Sequence, residues 1–159
     1  MLKAPNTIII SGTGRNVGKT TYAMQLIKKY AAEQPVAIKI SSHSHNQTQN
    51  LIPIKVNADF GIWEQAIVSD FKDSSKMLKA GASKVFYIEA KDAYLPQVLE
   101  ILSTIIDFNK RIIIESAAIR RYIEPEQFIL IYSDENSEIK EQNKDIEKYI
   151  TSRINFHIS

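Results

Sequence analysis

The chain contains no cysteine in 159 residues. That absence excludes disulfides, thiolate metal sites and thiol catalysis together. A strong excess of either charge is also missing: the formal net charge is +2, with the basic residues spread along the chain. Nothing in that balance supports nucleic acid or a membrane surface as a partner. No apolar run approaches the roughly 20 residues that cross a bilayer. The opening MLKAPNTIII has too short an apolar stretch, and no small-residue cleavage site, for a signal peptide. The expectation is a cytoplasmic protein. Glycine is scarce too. Of only 5 glycines, Gly12, Gly14 and Gly18 fall within one short loop. Glycine is needed where the backbone takes a positive φ or something must approach it closely, so the chain spends most of that freedom in one place.

What is present reads as an ordinary globular chain, 44% apolar and 24% charged. No linker, repeat or low-complexity stretch divides it, which predicts a single domain over 1–159. Thr7–Ser11 predicts a buried strand, and from Lys19 the apolar residues Ala23, Leu26 and Ile27 recur at helix spacing. Val36–Ile40 is a second strand, so strand, helix and strand form a βαβ unit. Residues 51–68 alternate well enough for one or two strands about a turn at Asn57–Gly61. Further helices are expected over Asp73–Ala80, Tyr94–Ile106 and Ser137–Thr151, and strands over Lys84–Glu89, Arg111–Glu115, Phe128–Tyr132 and a final INFHI. Buried strands alternating with helices predict a doubly wound α/β domain, mainly parallel and three-layered. Ligands of such sheets sit beyond the carboxyl ends of the strands.

The stretch IIISGTGRNVGKTTYA is strand, glycine loop and helix start in that order. In a phosphate-binding loop, inward-turned backbone N–H groups and the helix N-terminus hold the anion. A lysine neutralises the β/γ-phosphates and the next hydroxyl ligates Mg²⁺. Gly18, Lys19 and Thr20 supply these parts, with Gly12, Thr13, Gly14, Arg15, Asn16, Val17 and Thr21 completing the candidate nucleotide contact. The usual spacing puts a glycine at position 13, so opening at Gly12 makes the loop one residue longer. A dinucleotide turn is the rival, but its ribose-binding acid is missing after the second strand, where Lys39, Ser41 and Ser42 stand. Such a turn also has no use for Lys-Thr at the helix start.

Four segments in order, GTGRNVGKTT, VAIKISSHSH, KDSSKMLKAGASKV and RIIIES, resemble the MobB-type molybdopterin-guanine dinucleotide biosynthesis proteins. The likeness runs over residues 7–116. It implies a P-loop NTPase fold that binds GTP and serves as adapter to the enzyme attaching GMP to molybdopterin. The expected partners are therefore the nucleotide and an enzyme of cofactor biosynthesis; a homodimer stays open, as does any other oligomeric state. The lengthened loop is also similar to that of dethiobiotin synthetase, an ATP-dependent ligase in which a lysine placed like Lys39 faces the substrate. Two departures stand out. Glu115 is followed by Ser116, Ala117 and Ala118 where the family's acid is usually followed by glycine, and no guanine-reading Asn-Lys-x-Asp occurs. GTP and ATP both stay open.

The remaining polar residues carry two readings each. Glu115 ends an apolar strand beside the loop and is either the acid of the Mg²⁺ shell or a solvent-facing carboxylate. Asp73 is a helix cap or a further metal ligand. Lys39 sits in a buried strand, where a cation needs an anion to meet it. Lys19, Lys39 and Glu115 are the catalytic candidates; Thr20, Glu115 and Asp73 the metal candidates. His43 and His45 make a poor zinc site without a third ligand. Arg120 and Arg121 are either phosphoryl-stabilising or surface residues, and Trp63 and Phe60 are read as packing.

Overall fold

The computed structural model describes residues 1–44, 50–69 and 72–156. Its strands are β1 (Leu2–Gly12), β2 (Val36–Ser41), β3 (Ile52–Val56), β4 (Phe60–Glu64), β5 (Lys84–Ala90), β6 (Ile112–Glu115), β7 (Ile123–Tyr132) and β8 (Ser152–Asn155). Its α-helices are α1 (Lys19–Lys29), α2 (Asp73–Lys79) and α3 (Leu95–Ile105). All eight strands join one sheet in the order β3-β4-β5-β2-β6-β1-β7-β8. The pairings from β5 through to β8 are parallel, and only the β3–β4 and β4–β5 pairs are antiparallel. No helix among the described residues is long and apolar enough to cross a membrane.

The continuous isoleucine runs follow from covering the sheet on both faces. Ile8, Ile10, Ala37, Val85 and Ile113 pack with Ala23, Leu26 and Ile27 of α1 and Met77 of α2. Ile9, Ile38, Phe86, Ile88 and Ile114 face the other way, against Val98, Leu99 and Leu102 of α3. Alternation along each strand thus feeds two cores at once. Helix α3 is set by the i, i+3, i+4, i+7 spacing of Leu95, Val98, Leu99 and Leu102, with Pro96 in its first turn.

Several boundaries differ from the sequence expectation. Strand β1 begins at Leu2 because Leu2–Ala4 pair with Ile123–Pro125 of β7. The register shifts between Ala4 and Ile8, where Pro5 has no N–H to offer a ladder. As the alternation over 51–68 predicts, residues 52–64 form a hairpin, its turn closed by the Asn57 side chain, which accepts the N–H groups of Asp59 and Phe60 at 2.8 and 2.9 Å. Strand β8 begins two residues earlier than INFHI suggests, at Ser152–Asn155, opposite Ile129–Tyr132. The expected α-helix over Ser137–Thr151 is instead a 3₁₀ helix over Glu141–Tyr149. Its buried residues, Asn143 and Ile146, are three apart, and a three-residue turn stacks such positions on one side.

Candidate functional site

Strand β6 lies between β1 and β2, and the register pairs Ile10 with Glu115 and Glu115 with Lys39. Side chains in register on adjacent strands share a face, so Lys39 and Glu115 meet at the carboxyl end of the parallel sheet. Glu115 is only 3% exposed. Its Oε1 accepts from the Lys39 ammonium at 2.7 Å, and its Oε2 accepts from the Thr20 hydroxyl at 3.2 Å. Asp73 completes the group with an ion pair to Lys39 at 3.4 Å. Residues from α1, β2, α2 and β6 therefore meet in one polar cluster.

Electrostatics separate the two lysines. Burial disfavours the charge on Lys39, but Glu115, through charge and hydrogen bond, and Asp73 outweigh it and raise its pKa. Lys19 goes the other way. Burial lowers its pKa, Glu115 counteracts, and the charges of Lys39 and Lys140 lower it further. An anion beside Lys19 would offset that penalty by favouring its charged form.

The glycine loop is shaped around the lysine. A Cβ on Gly12 would stand 2.5 Å from Lys19 Cδ and 2.9 Å from Val17 Cγ2, so only glycine lets the Lys19 stem cross back over the loop. Asn16 and Gly18 take positive φ, 61° and 102°, conformations from which anion-binding nests are built. Val17 is buried in the α1-side core and anchors the loop. The first amides of α1 have no partner within the helix. Thr13 is tied from outside: its hydroxyl donates to the Asn136 carbonyl at 2.6 Å, and the Asn136 side chain donates back to the Thr13 carbonyl at 3.1 Å. Arg15 and Asn16 are exposed, while Thr20 and Thr21 are half-buried.

Around these residues lies a cleft of about 150 Å³, lined among others by Gly12, Lys19, Lys39, Glu115, Ser116 and Lys140. A second cleft of about 360 Å³ adjoins it through Ser42 and Ala90, with His43, Trp63, Glu89 and Lys91 in its walls. Tyr87 stacks near Trp63, ring centres 5.9 Å apart. Burial raises its pKa, with the charge and hydrogen bond of Glu89 adding to the shift.

Other candidates are elsewhere. Asp73 is not a cap: Lys72 holds the N-cap position of α2, and the Asp73 carboxylate turns to Lys39. Arg120 is buried over the Tyr149 ring at 4.2 Å and donates to the Ile123 carbonyl at 3.1 Å. Arg121 holds Asp145 through two hydrogen bonds of 2.8 Å. Both arginines brace the 3₁₀ segment. His43 is exposed, with its carbonyl accepting from the Ser41 hydroxyl at 3.0 Å, and His45 lies outside the described residues. Among the described residues no three His, Asp or Glu side chains are grouped to hold a metal alone. Sequence reasoning missed Asn136 and Lys140, which sit in a charged, turn-rich stretch where neither differs from its neighbours. No family model, no curated protein and no solved structure matches this chain.

Proposed function

We propose that the chain is a P-loop protein of the α/β/α type that binds a Mg²⁺–purine nucleotide, GTP or ATP, with weak or partner-stimulated hydrolysis. The carrying observation is the contact of the Thr20 hydroxyl with Glu115 at 3.2 Å, beside Lys19 at the start of α1. Hydroxyl and carboxylate in that relation fit a hard cation that takes few protein oxygens and completes its shell with phosphate and water. Thr20 and Glu115 would hold Mg²⁺, and Asp73, across Lys39, would accept from a metal-bound water. A cation held there would supply charge neutralisation to the terminal phosphates. Lys19 would pair with the β/γ-phosphates, and the backbone from Gly12 to Thr21 would surround them. The sequence resemblance adds an adapter role in molybdenum cofactor biosynthesis, with a partner enzyme to stimulate turnover.

Calorimetric titration with Mg-GTP and Mg-ATP tests this. Lys19→Ala should abolish binding while circular dichroism and the thermal transition stay native-like. Unchanged affinity would reject the assignment.

The second cleft favours a second reading, an ATP-dependent ligase or small-molecule kinase of the dethiobiotin-synthetase type. A cavity beside the phosphate site, sharing Ser42 with it, offers room for an acceptor. A rise in ADP release on adding small carboxylates or amines would support that reading. Stimulation by a protein partner alone would support the adapter.

A further inference from the structure

Three lysines reach this cleft, and the phosphate-loop reading uses only the one from α1. Lys19 enters from α1, Lys39 from the end of β2, and Lys140 from the segment between β7 and the 3₁₀ helix. The carboxylates in the same lining are Glu115 and Asp92. Glu115 is taken by Lys39 at 2.7 Å, and Asp92 pairs with Arg121 at 3.5 Å. The walls thus hold positive charge in excess of what their own acids match.

Lys140 stands on a pinned backbone. Ser133 and Asn136 exchange backbone hydrogen bonds of 3.1 Å each, and Asn136 is locked to Thr13 of the glycine loop. Ile139, its immediate neighbour, is buried, and the Lys140 carbonyl accepts the N–H of buried Asn143 at 2.9 Å. The segment is a strap laid against the phosphate loop, held before and after the lysine, whose own side chain remains exposed. Lys140 lines the same cleft as Lys19. Like charges facing one cleft are relieved by an anion between them.

We propose that Lys140 is a phosphate-binding residue, delivered by the Asn136 strap, that grips a phosphoryl group lying beyond the β-phosphate. This rests on the nucleotide reading above. The phosphoryl group has two sources, the terminal phosphate of a nucleoside triphosphate or a separate phosphate held beside a diphosphate. A lysine on a solvent-facing strap suits either, because its flexible stem carries a point charge with three donors.

Calorimetry on the full chain and on Lys140→Met and Lys140→Arg separates these. The probes are Mg-GTP and Mg-ATP, the matching diphosphates, and inorganic phosphate added to the diphosphate complex. Lys140→Met should weaken triphosphate binding about tenfold, the size of one charge-assisted contact. Diphosphate affinity should stay the same, and Lys140→Arg should recover most of the loss. A loss confined to inorganic phosphate on the diphosphate complex would assign the separate source. Wild-type affinity of Lys140→Met for every probe would overturn the role of Lys140 and leave the nucleotide reading intact. No binding of any nucleotide by the unmodified chain would instead overturn that reading, and this inference with it.

Discussion

Glu115 connects the two lysine environments, and its replacement is the sharpest test at the level of a residue. It is 3% exposed and accepts from both Lys39 and Thr20. Glu115→Gln leaves Lys39, half-buried, with Asp73 as its remaining counter-charge. Removing one partner of a buried ion pair costs several kcal/mol, and the partial exposure and second acid here reduce that to about 1–3 kcal/mol. Urea unfolding at neutral pH should read it. The same variant tests the titration of Lys39. Its pKa is raised above the ordinary 10.5, so its native-state contribution is full below that value. It is lost as pH climbs through the raised native pKa. Wild type should therefore lose stability on the alkaline side of 10.5, and Glu115→Gln should show a flatter decline. Equal slopes would detach Lys39 from Glu115.

The loop-and-strap pair is the element whose integrity the site needs. Gly14 does not take a positive φ, so the backbone alone would accept alanine there. The obstacle is contact: a Cβ at Gly14 would stand 2.2 Å from the Asn136 side-chain nitrogen. Asn136 is exposed and can swing away, at the loss of its 3.1 Å bond to the Thr13 carbonyl. Gly14→Ala should cost about 1 kcal/mol, the net worth of one hydrogen bond, and reduce nucleotide affinity. In an Asn136→Ala background the bond is already gone, so adding Gly14→Ala should cost little more. Additive losses in that double-mutant cycle would mean the two residues are uncoupled. This coupling was not legible in the sequence. Gly14 reads as part of the loop, but its partner Asn136 lies more than a hundred residues away in a stretch of turns.

For the whole molecule, a ligand at the carboxyl ends of β1, β2 and β6 bears on the centre of the sheet. Nucleotide that binds the folded chain and not the unfolded one stabilises it by about 2.7 kcal/mol at a hundredfold excess over Kd. For a chain of this size that corresponds to about 5–10 °C in Tm. Mg-nucleotide should produce such a shift, EDTA should shrink it, and Lys19→Ala should erase it. An unshifted Tm in unmodified protein at saturating nucleotide would count against binding.

The α/β class and the residues that cluster in the candidate site could be read from local pattern. Isoleucine runs, helix spacing and a glycine loop ahead of Lys-Thr are short-range signals, and they identified β1, α1, β2, β6 and the residues Lys19, Thr20, Lys39 and Glu115. The order of strands, the 3₁₀ form of Glu141–Tyr149 and the turning of Asp73 toward Lys39 were decided by tertiary structure. Each depends on partners distant in the chain. Local sequence sets what a segment can bury, whereas register and packing choose which charge it meets.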